Sequence, residues 1–171
     1  MEIIHAKKIN THGGSIRVYA ARKKRFKINH SVRKILSYEK NFLNWKTFNN
    51  FKTKVVDSKL KLYSILNKLK NNNKKIYGIG APSRASTLIN YVGLDENIID
   101  CVLEIDGSYK IGNYIPGKKI PILSENKLYN DPPDFLILFS WHIASELKFN
   151  LKKKGFKGKF IIPLPHPKIE N

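Results

Sequence analysis

From Lys75 onward, short apolar runs alternate with segments of helical period, and this alternation constrains the fold more than any other feature. Lys75 to Ile79, Ile98 to Glu104, Phe135 to Phe139 and Lys159 to Ile162 are too short for helices and have no consistent polar face. Arg84 to Val92, Glu125 to Asn130 and Ile143 to Lys153 read as the helices between them. Strands without a polar face must be covered on both sides, so the expected class is α/β, a Rossmann-like open and mostly parallel sheet over residues 74–171. Lys159 to Ile162 is the last expected strand, stopped by Pro163 and Pro165. In such sheets ligands bind beyond the carboxyl ends of the strands. The candidate positions are then Gly80 to Thr87, Glu104 to Tyr109, Ser140 to His142 and Pro163 to His166.

The preceding residues follow other rules. Residues 31–71 contain no Gly or Pro and read as two amphipathic helices, the first capped by Ser31. The longer second helix carries Phe48, Phe51, Val55, Leu62, Leu66 and Leu69 on one stripe, with a Lys-rich opposite face. Packing on a domain is the simplest use of that stripe, with a membrane-surface helix as the alternative. Glu2 to Ile9 and Ser15 to Ala21 read as a β-hairpin around Asn10-Thr11-His12-Gly13-Gly14, followed by the basic run Arg22 to Arg25. A two-stranded hairpin alone is barely stable in water, so it needs a partner, and its open edge invites pairing with another copy. The chain thus divides into a hairpin and linker over 1–29, a helical segment over 30–73 and an α/β domain over 74–171.

The formal charge of +19 raises the question of nucleic acid. The basic side chains are 27 Lys against 5 Arg, whereas bidentate phosphate and base contacts favour Arg. The excess is also local: residues 1–75 hold 20 basic and 3 acidic side chains, residues 76–171 hold 12 and 10. A solvated or partner-facing basic surface accounts for it better than a nucleic-acid interface. One cysteine excludes a disulfide scaffold and a multi-thiolate zinc site. The longest purely apolar run, Phe135 to Phe139, falls far short of the ~20 residues of a membrane span, and the N-terminus lacks a signal-peptide pattern, so a cytoplasmic protein is expected.

Gly78-Ile79-Gly80-Ala81-Pro82-Ser83 lies where a strand turns into a helix, a place where free N–H groups and the helix dipole attract anions. Ser83, Arg84, Ser86 and Thr87 add donors, and Glu104 or Asp106 ends the next strand, where dinucleotide folds grip a ribose hydroxyl. Position 83 is Ser where the full glycine fingerprint has its third Gly. Nucleotide or sugar-phosphate binding and a tight structural turn are both compatible with the loop, while no Ser/Tyr/Lys or His/Asp relay supports an NAD-dependent oxidoreductase. His142 reads as a helix-start histidine or a base, His12 as a turn histidine, His166 as a tail residue and Cys101 as a small core residue.

In order along the chain, THGGSIRVYAARK (Thr11 to Lys23), YGIGAPSRASTLINYVG (Tyr77 to Gly93), YKIGNYIPGKKIPI (Tyr109 to Ile122), PPDFLILFSWHIASEL (Pro132 to Leu147) and GKFIIPLP (Gly158 to Pro165) resemble the C-terminal part of sugar-nucleotide C-methyltransferases. That family uses S-adenosylmethionine to methylate a ring carbon of a TDP-linked 4-keto-deoxysugar. The resemblance implies that Gly78, Gly80, Ser83, Arg84, Thr87, Asn90, Lys110 and Trp141 hold or border the nucleotide-sugar, and that His12, Gly13 and Gly14 face the active-site cleft. Two positions depart from the family pattern: its Lys is Arg84 here, and its Trp-Asn is Trp141-His142.

The resemblance also implies a division of labour. The family's cysteine-rich zinc module, its cofactor-binding glycine loop and its catalytic Tyr-x-Glu-His have no counterpart in these residues, and residues 1–22 resemble the closing hairpin of the methyltransferase sheet. The implied chain is a truncated or split C-terminal domain, inactive alone, which binds neither S-adenosylmethionine nor zinc. The implied partners are a TDP-sugar and a separately encoded methyltransferase chain or a second copy. A non-enzymatic partner module is the alternative reading.

Overall fold

The computed structural model describes the backbone of residues 1–171 and every side chain except that of His12. The chain forms two compact units, Met1–Lys54 and Val55–Asn171.

In the first unit, β1 (Glu2–Ile9) pairs antiparallel with β2 (Ser15–Ala21), joined through a 3-10 turn at Thr11–Gly13. The register shifts between Ile3 and His5, so a bulge interrupts the ladder. Next comes α1 (His30–Phe42). Its cap is Asn29, whose side chain accepts the Ser31 N–H at 2.9 Å, two positions before the Ser31 cap expected from sequence. The Ser31 hydroxyl is used elsewhere, accepting the Ala6 N–H at 3.3 Å and tying α1 to β1. Among the described side chains of this unit Ala6 alone is buried, and Val18, Tyr19, Leu36, Phe42 and Trp45 are exposed. The unit therefore has almost no core of its own.

A break at Leu43–Asn44 separates α1 from α2 (Trp45–Asn71), whose first turn is capped by Asn44 through the Thr47 N–H at 3.0 Å. Of the apolar stripe read from the sequence, Leu62 and Leu66 are buried and Leu69 packs beside them, whereas Phe48 and Phe51 are exposed. Among the described residues no helix is long and apolar enough to cross a membrane.

The second unit holds β3 (Ile76–Ile79), α3 (Ser83–Val92), β4 (Cys101–Glu104), β5 (Ile122–Ser124), α4 (Lys127–Asn130), β6 (Phe135–Leu138), α5 (Ala144–Lys153), β7 (Lys159–Ile162) and β8 (Lys168–Glu170). They build one sheet in the order β5-β4-β3-β6-β7-β8, parallel throughout except for β8 at the edge. Two strands were not legible: β5 follows the Gly- and Pro-punctuated stretch 111–121, and β8 follows the prolines that seemed to end the sheet. The strand expected from Ile98 begins only at Cys101, because Ile98 and Ile99 turn back to bond Asp95 O.

The alternation of side chains explains the apolar runs. Ile76, Val102, Ile137, Phe139 and Ile161 face a layer that includes Leu62, Leu66, Ala85, Leu88 and Ile89 of α2 and α3. Tyr77, Cys101, Leu103, Leu136, Leu138 and Phe160 face Leu128 of α4 and Leu151 of α5. Both faces of the sheet are covered, as a parallel sheet requires. Burial pushes the Cys101 thiol up to about 12, and pushes the Tyr77 hydroxyl, which also donates to Asp131, up to about 12 as well.

Gly78 sits inside β3 at the tightest point of this packing. A Cβ there would lie 2.3 Å from the Phe139 ring and 3.1 Å from Val102 Cγ2. The close approach that this glycine permits is thus made by a fully buried phenylalanine, in place of the phosphate that the loop pattern suggested. Gly78→Ala is expected to cost about 1–3 kcal/mol through overpacking. Equilibrium denaturation of the two proteins measures the loss, and an unchanged midpoint contradicts this packing.

Candidate functional site

The strand order reverses direction between β3 and β6, so the loops after these two strands diverge and leave a crevice at their carboxyl ends. The first loop, Gly80-Ala81-Pro82, leads into α3. Gly80 is at φ +79, a left-handed conformation that a side chain would strain, and a Cβ there would come within 3.3 Å of Ser140 Oγ on the opposite loop. Pro82 starts α3 without a side-chain cap. The Ala85 N–H bonds Pro82 O at 2.8 Å, while the Ser83 and Arg84 N–H groups belong to the first turn, where no intrahelical acceptor exists. They point a positive helix end into the crevice.

The Ala81 peptide is clamped from both sides. Its N–H donates to Glu104 Oε2 at 2.9 Å, and its carbonyl accepts from Lys110 Nζ at 2.9 Å. Lys110 and Glu104 are themselves 3.7 Å apart, both largely covered. Glu104 Oε1 accepts the Ile105 N–H, and Asp106 is bonded to Ser124 Oγ and Asn126. Both acidic side chains at the end of the second strand are therefore engaged within the protein, and Glu104 serves the loop.

On the β6 side, a 3-10 turn at Trp141–Ile143 precedes α5 and brings Trp141 and His142 to α3. The Arg84 guanidinium lies 5.6 Å from the Trp141 ring centroid, and its Nη1 donates to His142 Nδ1 at 2.9 Å. The two positions that depart from the family pattern are in contact across 58 residues of sequence. On the β4–β5 side, a cavity of about 670 Å³ is lined by Ala81, Ser83, Ser86, Lys110 and Pro116, with the exposed rings of Tyr109 and Tyr114 at its rim.

The structure thus gathers Gly80, Ser83, Arg84, Lys110 and Trp141 around one loop. Gly78 is withdrawn into the sheet. Thr87 lies one turn along α3 with its hydroxyl donated back to Ser83 O at 3.3 Å. Asn90 sits farther along and ties Ser86 O to Pro116 O, closing the wall of the cavity rather than reaching its mouth. The side chain of His12 lies outside the described residues. Sequence reasoning reached Tyr109 as the end of the candidate stretch Glu104 to Tyr109 but missed Tyr114 as a rim residue; exposed aromatics amid the polar and Gly-rich stretch 107–119 were the available signal.

A larger cavity, about 860 Å³, opens at the amino ends of β3, β6 and β7, among Lys74, Lys75, Tyr129, Asp134, Lys157 and Lys159. It lies beyond the C-terminal end of α5, whose partial negative charge opposes an anion. Two carboxylates at this end of the sheet are internally paired. Asp131 accepts from Lys127 at 2.8 Å, from Lys75, and from the Tyr77 hydroxyl at 2.7 Å, and these bonds, led by Lys127, hold its carboxyl well below the usual carboxylate range. Asp134 accepts the Lys75 N–H at 2.9 Å, which lowers its pKa as well. The carboxylates at this end of the sheet are spent on internal bonds, while the open first-turn N–H groups of α3 lie at the carboxyl end. Among the described residues no three His, Cys, Asp or Glu side chains gather as a metal site.

The model of the C-methyltransferase C-terminal domain family matches residues 10–165. The sequence is also 26% identical, over 175 aligned positions, to the C-methyltransferase NovU of Streptomyces niveus, a match covering 99% of this chain and 41% of the relative. The chain therefore spans less than half the length of that relative.

The Ala81 clamp has a direct readout. Lys110→Met keeps the aliphatic stem but removes the donor to Ala81 O and the counter-charge of Glu104. Partial exposure of the pair limits the loss to about 1 kcal/mol, roughly a fivefold rise in amide exchange at Ala81. Unchanged protection in native-state hydrogen exchange contradicts the clamp.

Proposed function

The chain belongs to the C-methyltransferase C-terminal domain family, and we propose that it is the sugar-nucleotide-handling part of an S-adenosylmethionine-dependent C-methyltransferase acting on a TDP-4-keto-deoxysugar. The observation that carries this reading is the crevice at the switch between β3 and β6, where open helix N–H groups, the Arg84 guanidinium and the Trp141 ring meet beside a ring-lined cavity. The N–H groups of Ser83 and Arg84 offer donors to phosphate oxygens, and the guanidinium adds a planar charge. Tyr109 and Tyr114 offer faces on which a nucleobase can stack. Fixing the nucleotide in this way orients the sugar, so that the loss of translational freedom is met before the chemical step.

The methyl donor and the base that removes the proton beside the keto group come, on this reading, from a methyltransferase domain in the same or a separate chain. The first unit is the face such a domain would cover. Its hairpin pairs with no further strand, and apolar side chains on β2 and α1 are left in solvent, an arrangement that favours association. The basic surface of residues 1–75 fits a partner-facing role, and this work takes place in the cytoplasm.

Saturation-transfer NMR with TDP-glucose tests the reading at the weak affinities expected of one domain. Transfer to both thymine and sugar protons, reduced in Arg84→Ala, is expected. Labelled S-adenosylmethionine and a TDP-4-keto-deoxysugar incubated with the purified chain alone should yield no methylated sugar. Absence of transfer from the protein to TDP-glucose at millimolar ligand contradicts the binding role, and methylation by the chain alone contradicts the division of labour.

A further inference from the structure

Arg84 and His142 form a side-chain hydrogen bond that bridges the two loops of the crevice and involves a group capable of reading an anion. A guanidinium has donors and no acceptor, so His142 takes the bond through the lone pair of Nδ1, and the ring proton of the neutral imidazole resides on Nε2. The bond uses Nη1. Among the described residues no other hydrogen bond reaches the guanidinium, whose Nη2 and Nε donors remain for a ligand. The Trp141 ring, 5.6 Å away, limits the plane in which the fork can turn. His142 follows Trp141 in a 3-10 turn that begins two residues after β6, so its ring is set by the sheet and not by a mobile loop. A long arginine side chain loses much rotamer entropy when it grips a ligand; a partner that already holds it lowers that cost.

We propose that His142 is a positioning residue that aims Arg84, and that Arg84 so aimed reads the diphosphate of the nucleotide. The inference rests on the nucleotide-sugar reading above and adds to it the group recognised and the residue that prepares its recognition. It makes His142 important for phosphate affinity without contact between imidazole and phosphate. It also makes the acceptor at Nδ1, rather than the ring or its ability to titrate, the property that matters. Asparagine at position 142 places an amide oxygen where Nδ1 accepts, so it preserves the function; alanine does not.

The test is calorimetric titration of the full chain with TDP, with thymidine as the ligand that lacks phosphates, on the wild type, Arg84→Ala, His142→Ala, the double variant and His142→Asn. Each alanine variant should weaken TDP binding roughly tenfold, as loss of a charge-assisted contact does. The double variant should be no weaker than Arg84→Ala, because the two residues act as one unit. His142→Asn should bind TDP as the wild type does, and thymidine affinity should be indifferent to all four changes. With only five arginines in the chain, side-chain 15N spectra can follow Arg84 directly. Its Nη signals should be distinct in the wild type and in His142→Asn and averaged in His142→Ala, a readout that a merely folded or unfolded chain does not imitate. Undiminished TDP binding in His142→Ala, multiplicative losses in the double variant, or equal losses in His142→Ala and His142→Asn overturn the positioning role. Equal sensitivity of thymidine and TDP overturns the assignment to phosphate. Failure of the wild type to bind TDP overturns both this inference and the reading beneath it, whereas wild-type binding with any of the other outcomes overturns this inference alone.

Discussion

The Phe139 ring lies over Gly78 where β3 and β6 run side by side, and the architecture of Val55–Asn171 depends on that contact. It joins the two central strands of the sheet, and these are the strands between which the order reverses. The pairing carries Ile79 and Leu138 into register and so sends Gly80 and Ser140 out side by side. From there the two loops can only diverge, one into α3 and the other into the turn before α5. The crevice is therefore a consequence of packing in the core: a larger side chain at position 78 would press on Phe139 before it reached any ligand.

The sheet and its helices were legible because they depend on burial, and burial leaves a pattern. Phe135 to Phe139 is apolar throughout because successive residues enter opposite layers, both of them dry. Strands β5 and β8 were not legible because each is three residues long at or near an edge, among prolines, where pairing and not burial defines them. The helix cap at Asn29 in place of Ser31 turns on which of two good capping residues the chain bends around, a choice that composition does not decide. Gly78 and Gly80 look alike in sequence yet differ in use, the first flat in a strand and the second at positive φ in a turn. Arg84 and His142 were each visible as departures from a family pattern, but their contact spans the sheet and needs the strand order to be seen.

The two ends of the sheet differ in how their charged groups are used. At the amino ends Asp131 and Asp134 consume Lys75, Lys127 and the Tyr77 hydroxyl in internal bonds. At the carboxyl ends Glu104 and Lys110 are spent on one peptide, Ala81, and their effect is to hold the loop that presents the Ser83 and Arg84 N–H groups. The larger cavity lies beyond the C-terminal end of α5, whose partial negative charge opposes an anion. The first unit is built differently: its hairpin and helix have a single buried side chain among those described.

The central claim is that the nucleotide binds at the carboxyl ends of β3 and β6. Amide chemical-shift mapping of the 15N-labelled chain during titration with TDP tests it most directly. The account predicts perturbations concentrated at Gly80 to Thr87, Tyr109 to Tyr114 and Ser140 to Ile143. Perturbations confined to Lys74, Lys75 and Gly155 to Lys159, at the opposite end of the sheet, would contradict it.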